Sequence, residues 1–191
     1  KSVDMLHFHN LNTDEEQGFF SDGLTEDMIS HLSRVNSLKV VSKSSIRDFK
    51  HTTQSLGEIG KKLGVKTILQ GSVSWIKNTI IIKVELIDVT RNRKLWAETF
   101  SREAKDIFEI QNSIALEVMN ALDVRLSEAD LIRMEKSQTI NLNAYEFYLR
   151  GRQAYYAYSL DSNLSAITDF KKAIQIDPNY ALAYSGLADV Y

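Results

Sequence analysis

Four histidines, His7, His9, His31 and His51, and the acids Asp22, Glu26 and Asp27 are the side chains that could bind a metal or move a proton. His7 and His9 stand two apart, so on a strand both would point the same way, as a metal pair would. No third ligand lies near them in the sequence. The pair therefore reads as part of an edge strand leaving a sheet rather than as a metal site. His31 sits beside Leu32 on a helical pattern and reads as a flank residue. Two carboxylates can share acid and base work when their surroundings push their pKa values apart. Asp22, Glu26 and Asp27, however, fall where a helix is expected to begin, and acids in a first turn complement the helix dipole. The chain has no cysteine, which excludes disulfides, thiolate metal sites and cysteine nucleophiles. Gly57, Gly60, Gly64 and Gly71 match neither phosphate-binding spacing, GxGxxG or GxxxxGK[ST]. Gly60 and Lys61 lack the serine or threonine that would follow. Two basic turns, Arg91-Arg93-Lys94 and Lys61-Lys62-Lys66, carry no interleaved aromatics and read as solvated turns. No catalytic residue, cofactor or metal is expected in this stretch, and no nucleic acid.

The tyrosines are distributed differently. All eight lie beyond residue 143. Most are expected to pack between helices. Tyr148, Tyr155, Tyr184 and Tyr191 are candidates for the concave face that stacked helical repeats use to hold peptides.

Composition sets wide bounds. The 191 residues are 43% hydrophobic and 25% charged, with a net charge of −2, as in a soluble globular protein with one good core and a smaller unit. The apolar run Ile80-Ile81-Ile82 after Thr79 is stopped by Lys83, and no run in the chain is long enough to span a bilayer as a helix. No signal peptide opens the chain, and its composition suits the cytoplasm or the periplasm alike. It starts on a strand-like run and ends inside a helical pattern, so we expect a piece of a longer protein.

In chain order, Val3–Phe8 alternates as a short strand. Ser21 and Asp22 offer N-cap oxygens for a helix carrying Leu24, Met28, Leu32 and Val35 and ending near Asn36. Leu38–Val41 suits a second strand, and Ser44 and Ser45 a brief helical turn through Phe49. Ser55 with Glu58 forms a capping-box match for a helix over Ser55–Leu63, with Gly64 after it. Lys66–Ile76 and a strand bearing Ile80, Ile82, Val84 and Leu86 form a hairpin about Lys77-Asn78, with asparagine supplying the positive φ. Gly71 inside a strand implies a bulge or a close backbone approach. A third strand follows over Arg93–Phe100. Asp106 would cap a long helix carrying Ile107, Ile110, Ile114, Val118, Leu122 and Leu126.

After the polar break Ser137–Asn143 the pattern changes to small residues and tyrosines. Ala166, Phe170, Ala173 and Pro178 match the second half of a tetratricopeptide repeat, where the small residues admit the neighbouring helix. Tyr184, Leu187, Ala188 and Tyr191 match the first helix of the next repeat. Domains are therefore expected over 1–136 and 144–191, joined by 137–143, with one repeat complete and one truncated.

Phe20-Ser21-Asp22-Gly23-Leu24-Thr25-Glu26-Asp27-Met28-Ile29, Leu63-Gly64-Val65, Leu69-Gln70-Gly71-Ser72-Val73, Leu86-Ile87-Asp88 and Leu95-Trp96-Ala97-Glu98 come in an order that resembles the TolB amino-terminal-like domain. The resemblance covers about residues 1–130. It implies an α/β (α+β) fold, a mixed sheet of about five strands with helices packed on it, ahead of an all-α repeat segment. It implies no catalytic residue set. It further implies a larger bacterial protein, since such domains occur in class III adenylate or guanylate cyclases and in winged-helix regulators. The expected role is non-catalytic: a protein-interaction and regulatory fragment whose repeats bind a protein or peptide. The alternatives are the regulatory part of a nucleotide cyclase or of a winged-helix transcription regulator. Open strand edges and unpaired repeats also leave surfaces for self-association.

Overall fold

The computed structural model describes residues 1–12, 18–42, 49, 52–135 and 139–191. These fall into two compact units, Lys1–Lys136 and Ser137–Tyr191. All but Phe49 of the expected helical turn at Ser44–Phe49, together with His51 and part of the expected linker, lies outside the described residues.

The first unit is built on a mixed sheet in the order β3-β1-β4-β5-β6, with β2 also pairing to β4. Its strands are β1 (Ser2–Met5), β2 (His9–Asn10), β3 (Lys39–Val40), β4 (Thr67–Ile76), β5 (Thr79–Asp88) and β6 (Arg93–Glu103). β1 runs parallel to β3 and β4, and β4-β5-β6 is an antiparallel meander. The helices of this unit are α1 (Gly18–Leu32), α2 (Leu56–Leu63), α3 (Ile107–Ala121) and α4 (Glu128–Glu135). Ile80, Ile82, Val84 and Leu86 of β5 align with Trp75, Val73, Gly71 and Leu69 of β4, and this face is the buried one. α3 packs on β5 and β6, and α1 on α3 and β2. Among the described residues the other face is covered at one end, where Ile59 and Val65 meet Ile68 with Leu56, Leu63 and Val89 around them. Beyond that end Gln70, Ser72 and Ser74 are half-buried and Ile76 is exposed.

The first strand departs from expectation. Met5 pairs with Leu69 and His9 with Ser72, four steps on one strand against three on the other. One residue must bulge, so β1 and β2 are separate and His7 leaves the ladder. Phe8 N donates to Thr25 Oγ1 (3.0 Å) instead of pairing in the sheet. Gly71 lies opposite the bulge. A Cβ there would stand 2.3 Å from Lys83 O and 2.9 Å from the Phe8 ring.

Helix α1 includes Gly18, so Ser21 and Asp22 lie inside it and cap nothing. Ser21 Oγ donates back to Gly18 O (3.1 Å), and Thr25 Oγ1 to Ser21 O (2.7 Å). Glu26 and Asp27 therefore sit past the first turn, which holds no acid. The expectation of first-turn dipole partners is corrected. α2 follows its sequence signals: Ser55 and Glu58 complete both halves of a capping box, and Gly64 takes φ 66°. In the β4–β5 turn it is Lys77 that takes a positive φ of 56°, in place of the expected asparagine. β6 extends three residues beyond the expected Phe100. Asp106 makes no side-chain cap; a short 3-10 turn, Ala104–Asp106, leads into α3. α3 ends at Ala121, with Asp123 at φ 49° and the Lys1 ammonium bonded to Leu122 O, so Leu126 lies beyond the helix. α4 was not expected. Ser127 and Asp130 bond reciprocally at its start, Ser127 N to Asp130 Oδ2 (3.0 Å) and Asp130 N to Ser127 Oγ (3.2 Å).

The second unit consists of α5 (Leu142–Tyr155), α6 (Leu160–Ile176) and α7 (Ala181–Val190). Asn141 caps α5, and a Ser159–Ser162 box starts α6. Phe170 is the centre of this unit. A Cβ at Gly151 would meet its ring at 2.8 Å and one at Gly186 at 2.6 Å, so glycine lets both neighbouring helices close on one ring.

Candidate functional site

The tyrosine surface is built by α5, α6 and α7. Tyr148 is buried, its ring 6.0 Å from Phe170 and 5.0 Å from Tyr180. The Arg152 guanidinium stands 5.4 Å from the same ring, and burial lowers its pKa below the usual arginine value. Tyr148 thus packs the repeat, and its expected place on an open face is corrected. Tyr155 is half-buried at the α5–α6 corner, 5.5 Å from the Tyr156 ring and 6.1 Å from that of Tyr158. Tyr184 (48% exposed) lies on α7, and Tyr191 (81%), seven positions on, is the residue that follows its last turn. The Lys171 ammonium approaches the Tyr191 ring at 5.9 Å.

Next to this surface, Phe147 holds two cations, Lys172 at 5.1 Å and Arg150 at 5.8 Å. The acids beside them, Glu146 and Asp169, have their pKa raised by burial; Arg150 offsets this for Glu146, and Lys172 and Arg150 for Asp169. Residue-type reasoning missed this mixed cation–aromatic group. The signal was present, with Phe147 and Arg150 at i,i+3 and paired lysines at 171 and 172.

The α/β unit places its candidates apart. His7 lies in the bulge, its Nδ1 3.5 Å from Asp22 Oδ1, while His9 is exposed on β2. The two histidines do not converge. His31 is buried, contrary to the flank reading, and burial and then Arg34 lower its pKa to about 4. Among the described residues no three histidines or acids come together to hold a metal. Asp4, beside Ile68 in register, is fully buried. Its Oδ1 accepts from Met5 N (2.8 Å), its Oδ2 has no hydrogen-bond partner among the described residues, and burial raises its pKa to about 6. An open groove of about 580 Å³ runs between α2 and the β5–β6 turn, lined by Gly57, Gly60, Gly64, Lys61, Lys66 and Val89. Its glycine face has a packing cause, since a Cβ at Gly60 would stand 2.5 Å from Val89 Cγ2. No described helix is long and apolar enough to cross a membrane.

The first unit is a mixed α/β sheet domain with helices packed on it, and the second is all-helical. Residues 8–117 match the family described as HilA/YgeH-like transcriptional regulator, second domain, and the chain belongs to that family. Residues 158–191 match the TPR repeat. A Rhizobium meliloti (strain 1021) protein named "Putative adenylate cyclase 3" is 35% identical over 187 residues, which is 98% of this chain and 32% of that protein. The chain thus spans about a third of this relative. Among solved structures, TolB from Acinetobacter baumannii is similar at 13% identity and TM-score 0.45, over 63% of this chain and 28% of that one. The lipoprotein GNA1162 from Neisseria meningitidis is similar at 16% identity and TM-score 0.45, over 66% of this chain and 99% of that one.

Proposed function

We propose that this chain is a non-catalytic interaction and regulatory part of a larger protein, with its tetratricopeptide helices binding a protein segment. The observation that carries the reading is the repeat match over 158–191, on helices that expose Tyr184 on α7 and Tyr191 just past its end. Tyrosine presents a large, rigid contact area with a polar tip at low entropy cost, which suits a recognition surface. Lys171 against Tyr191 adds a cation at its rim. The partner segment is expected to bring apolar side chains to the tyrosines and an acid to the lysine.

The test is capture of partners from the source extract by the chain and by a Tyr184→Ala/Tyr191→Ala variant. A partner held by the former and lost by the latter, with the helical circular dichroism unchanged, supports the reading. Equal capture by both overturns it.

Two longer contexts have support of their own. The 35% identity to the Rhizobium relative along nearly the whole chain favours the regulatory part of a class III nucleotide cyclase. The family match over 8–117 favours the second domain of a transcription regulator with a winged helix elsewhere in the protein. Cyclic nucleotide production by the full-length protein, or its retention on DNA, separates the two. In both contexts the segment acts by contact and carries no chemistry.

A further inference from the structure

β6 (Arg93–Glu103) is the terminal strand of its sheet and has 11 residues, against two in β3 at the opposite edge. Its outer edge pairs with no other described strand, and along its length only Phe100 is buried. An edge of roughly 36 Å, at about 3.3 Å per residue, presents a row of unpaired N–H and C=O groups to any second strand. Charged side chains commonly protect such an edge, and β6 carries Arg93, Lys94, Glu98, Arg102 and Glu103.

The pairing of those charges decides what the edge accepts. Lys94 is held by Glu85 (2.5 Å), and Glu103 by Lys105 (2.8 Å). Glu98 and Arg102 have no ionic partner among the described residues; Arg102 makes one long bond to Ser101 O (3.3 Å). Both point to the same face as Phe100, which stands between them, because they register with Val84, Ile80 and Ile82 of β5.

We propose that the β6 edge pairs with β6 of a second copy of this chain, antiparallel, about a two-fold axis at Phe100. Outward-facing backbone groups alternate along a strand, so an antiparallel self-pair must place its axis at a residue. With the axis at Phe100, Glu98 faces Arg102 of the second copy and Arg102 faces its Glu98. Thr99 faces Ser101, and Ala97 faces Glu103. Both unpaired charges gain opposite partners, a hydroxyl pair forms, and no like charges meet. With the axis at Glu98 two glutamates would oppose each other and Lys94 would face Arg102. The open sheet face adds no obstacle, since Ala97, Thr99 and Ser101 are small and exposed. A two-fold contact of this kind is closed and leaves no further free β6 edge.

The test uses the absence of native cysteine. Thr99→Cys and Ser101→Cys chains, carrying different tags, are mixed and mildly oxidised. Mixed disulfide dimers should form at least tenfold faster than either homodimer, because the two positions face each other only across this axis. In sedimentation equilibrium, Glu98→Arg or Arg102→Glu alone should weaken dimerisation at least tenfold, and the double exchange should restore it. A chain that stays monomeric at high micromolar concentration overturns the proposal. So does fastest cross-linking of Thr99→Cys to itself, which would place the axis elsewhere.

Discussion

The two units solve the same packing problem by different means. In the α/β unit burial is spread over a whole sheet face, and no single side chain is central: Val3, Met5, Ile80, Ile82, Leu86, Ile107, Ile114 and Val118 are all fully enclosed. Two polar side chains are also buried in this unit, Asp4 on the opposite sheet face beside Ile68 and His31 on α1. In the helical unit the core narrows to Phe170 and the rings around it, with Gly151 and Gly186 cut away to admit it. The broad core can absorb a local defect, while the narrow one depends on one ring. The narrow core also leaves tyrosines over for the surface, which is where the proposed binding face lies.

The largest expected effect tests that contrast directly. Phe170→Ala should cost about 3–5 kcal/mol, because the glycines that admit the ring cannot refill its space. Hydrogen exchange should show the α5–α7 amides losing protection while β4 and β5 keep theirs. Equal loss in both units would break the comparison, since it would mean that the two cores unfold together.

Asp4→Asn comes next, and it acts on the α/β unit, on the sheet face that carries Ile68. Asp4 has its pKa raised to about 6 from 3.8, chiefly by burial. A raised folded-state value means that this group's contribution is fully present below about pH 4 and is lost as pH rises through 6. Ionising an enclosed carboxyl with an unpaired oxygen opposes folding, so asparagine should stabilise the chain by about 1–3 kcal/mol at pH 8. Near pH 4 the two proteins should be close in stability. His31 works in the opposite direction. Its pKa is lowered to about 4, so its contribution is present above 6.5 and fades as the pH falls through 4. Taking the difference between Asp4→Asn and the unmodified chain cancels His31. Denaturant melts at both pH values give the answer, and a gain that grows toward acid would reject this account of Asp4.

Legibility in the sequence followed the range of the interaction. α2 was readable because its signals are local: Ser55 and Glu58 close a box three residues wide, and Gly64 supplies the left-handed turn. The β4–β5 hairpin was readable from alternation, although Lys77 rather than Asn78 bears the positive φ. α4 could have been found, since Ser127 and Asp130 carry the same three-residue cap pattern. What failed depended on distant partners. The bulge after Met5 is set by register against β4, and Thr25 on α1 takes the Phe8 amide. The burial of Tyr148 is likewise fixed by Phe170 and Tyr180, far along the chain, so single-residue reasoning misplaced it.

The smallest expected effect compares two capping boxes, one taken from each unit. In the first, Ser55 Oγ and its backbone N both donate to Glu58 Oε2 at 2.8 Å, and Glu58 N donates to Ser55 Oγ. In the second, Ser159 and Ser162 make the same exchange with neutral hydroxyls. Either serine replaced by alanine should cost about 1 kcal/mol at neutral pH. Their pH dependence should differ. The hydrogen bond from the Ser55 side chain, then that from its backbone, holds the Glu58 pKa below its ordinary 4.5. A lowered value gives stability that is present above 4.5 and lost as pH falls through the folded value. The cost of Ser55→Ala should therefore shrink in acid, while that of Ser159→Ala stays level, as thermal melts at pH 7 and pH 3 would show. Parallel losses in both variants would mean that the carboxylate adds nothing to the Ser55 box beyond what a second hydroxyl adds to the other.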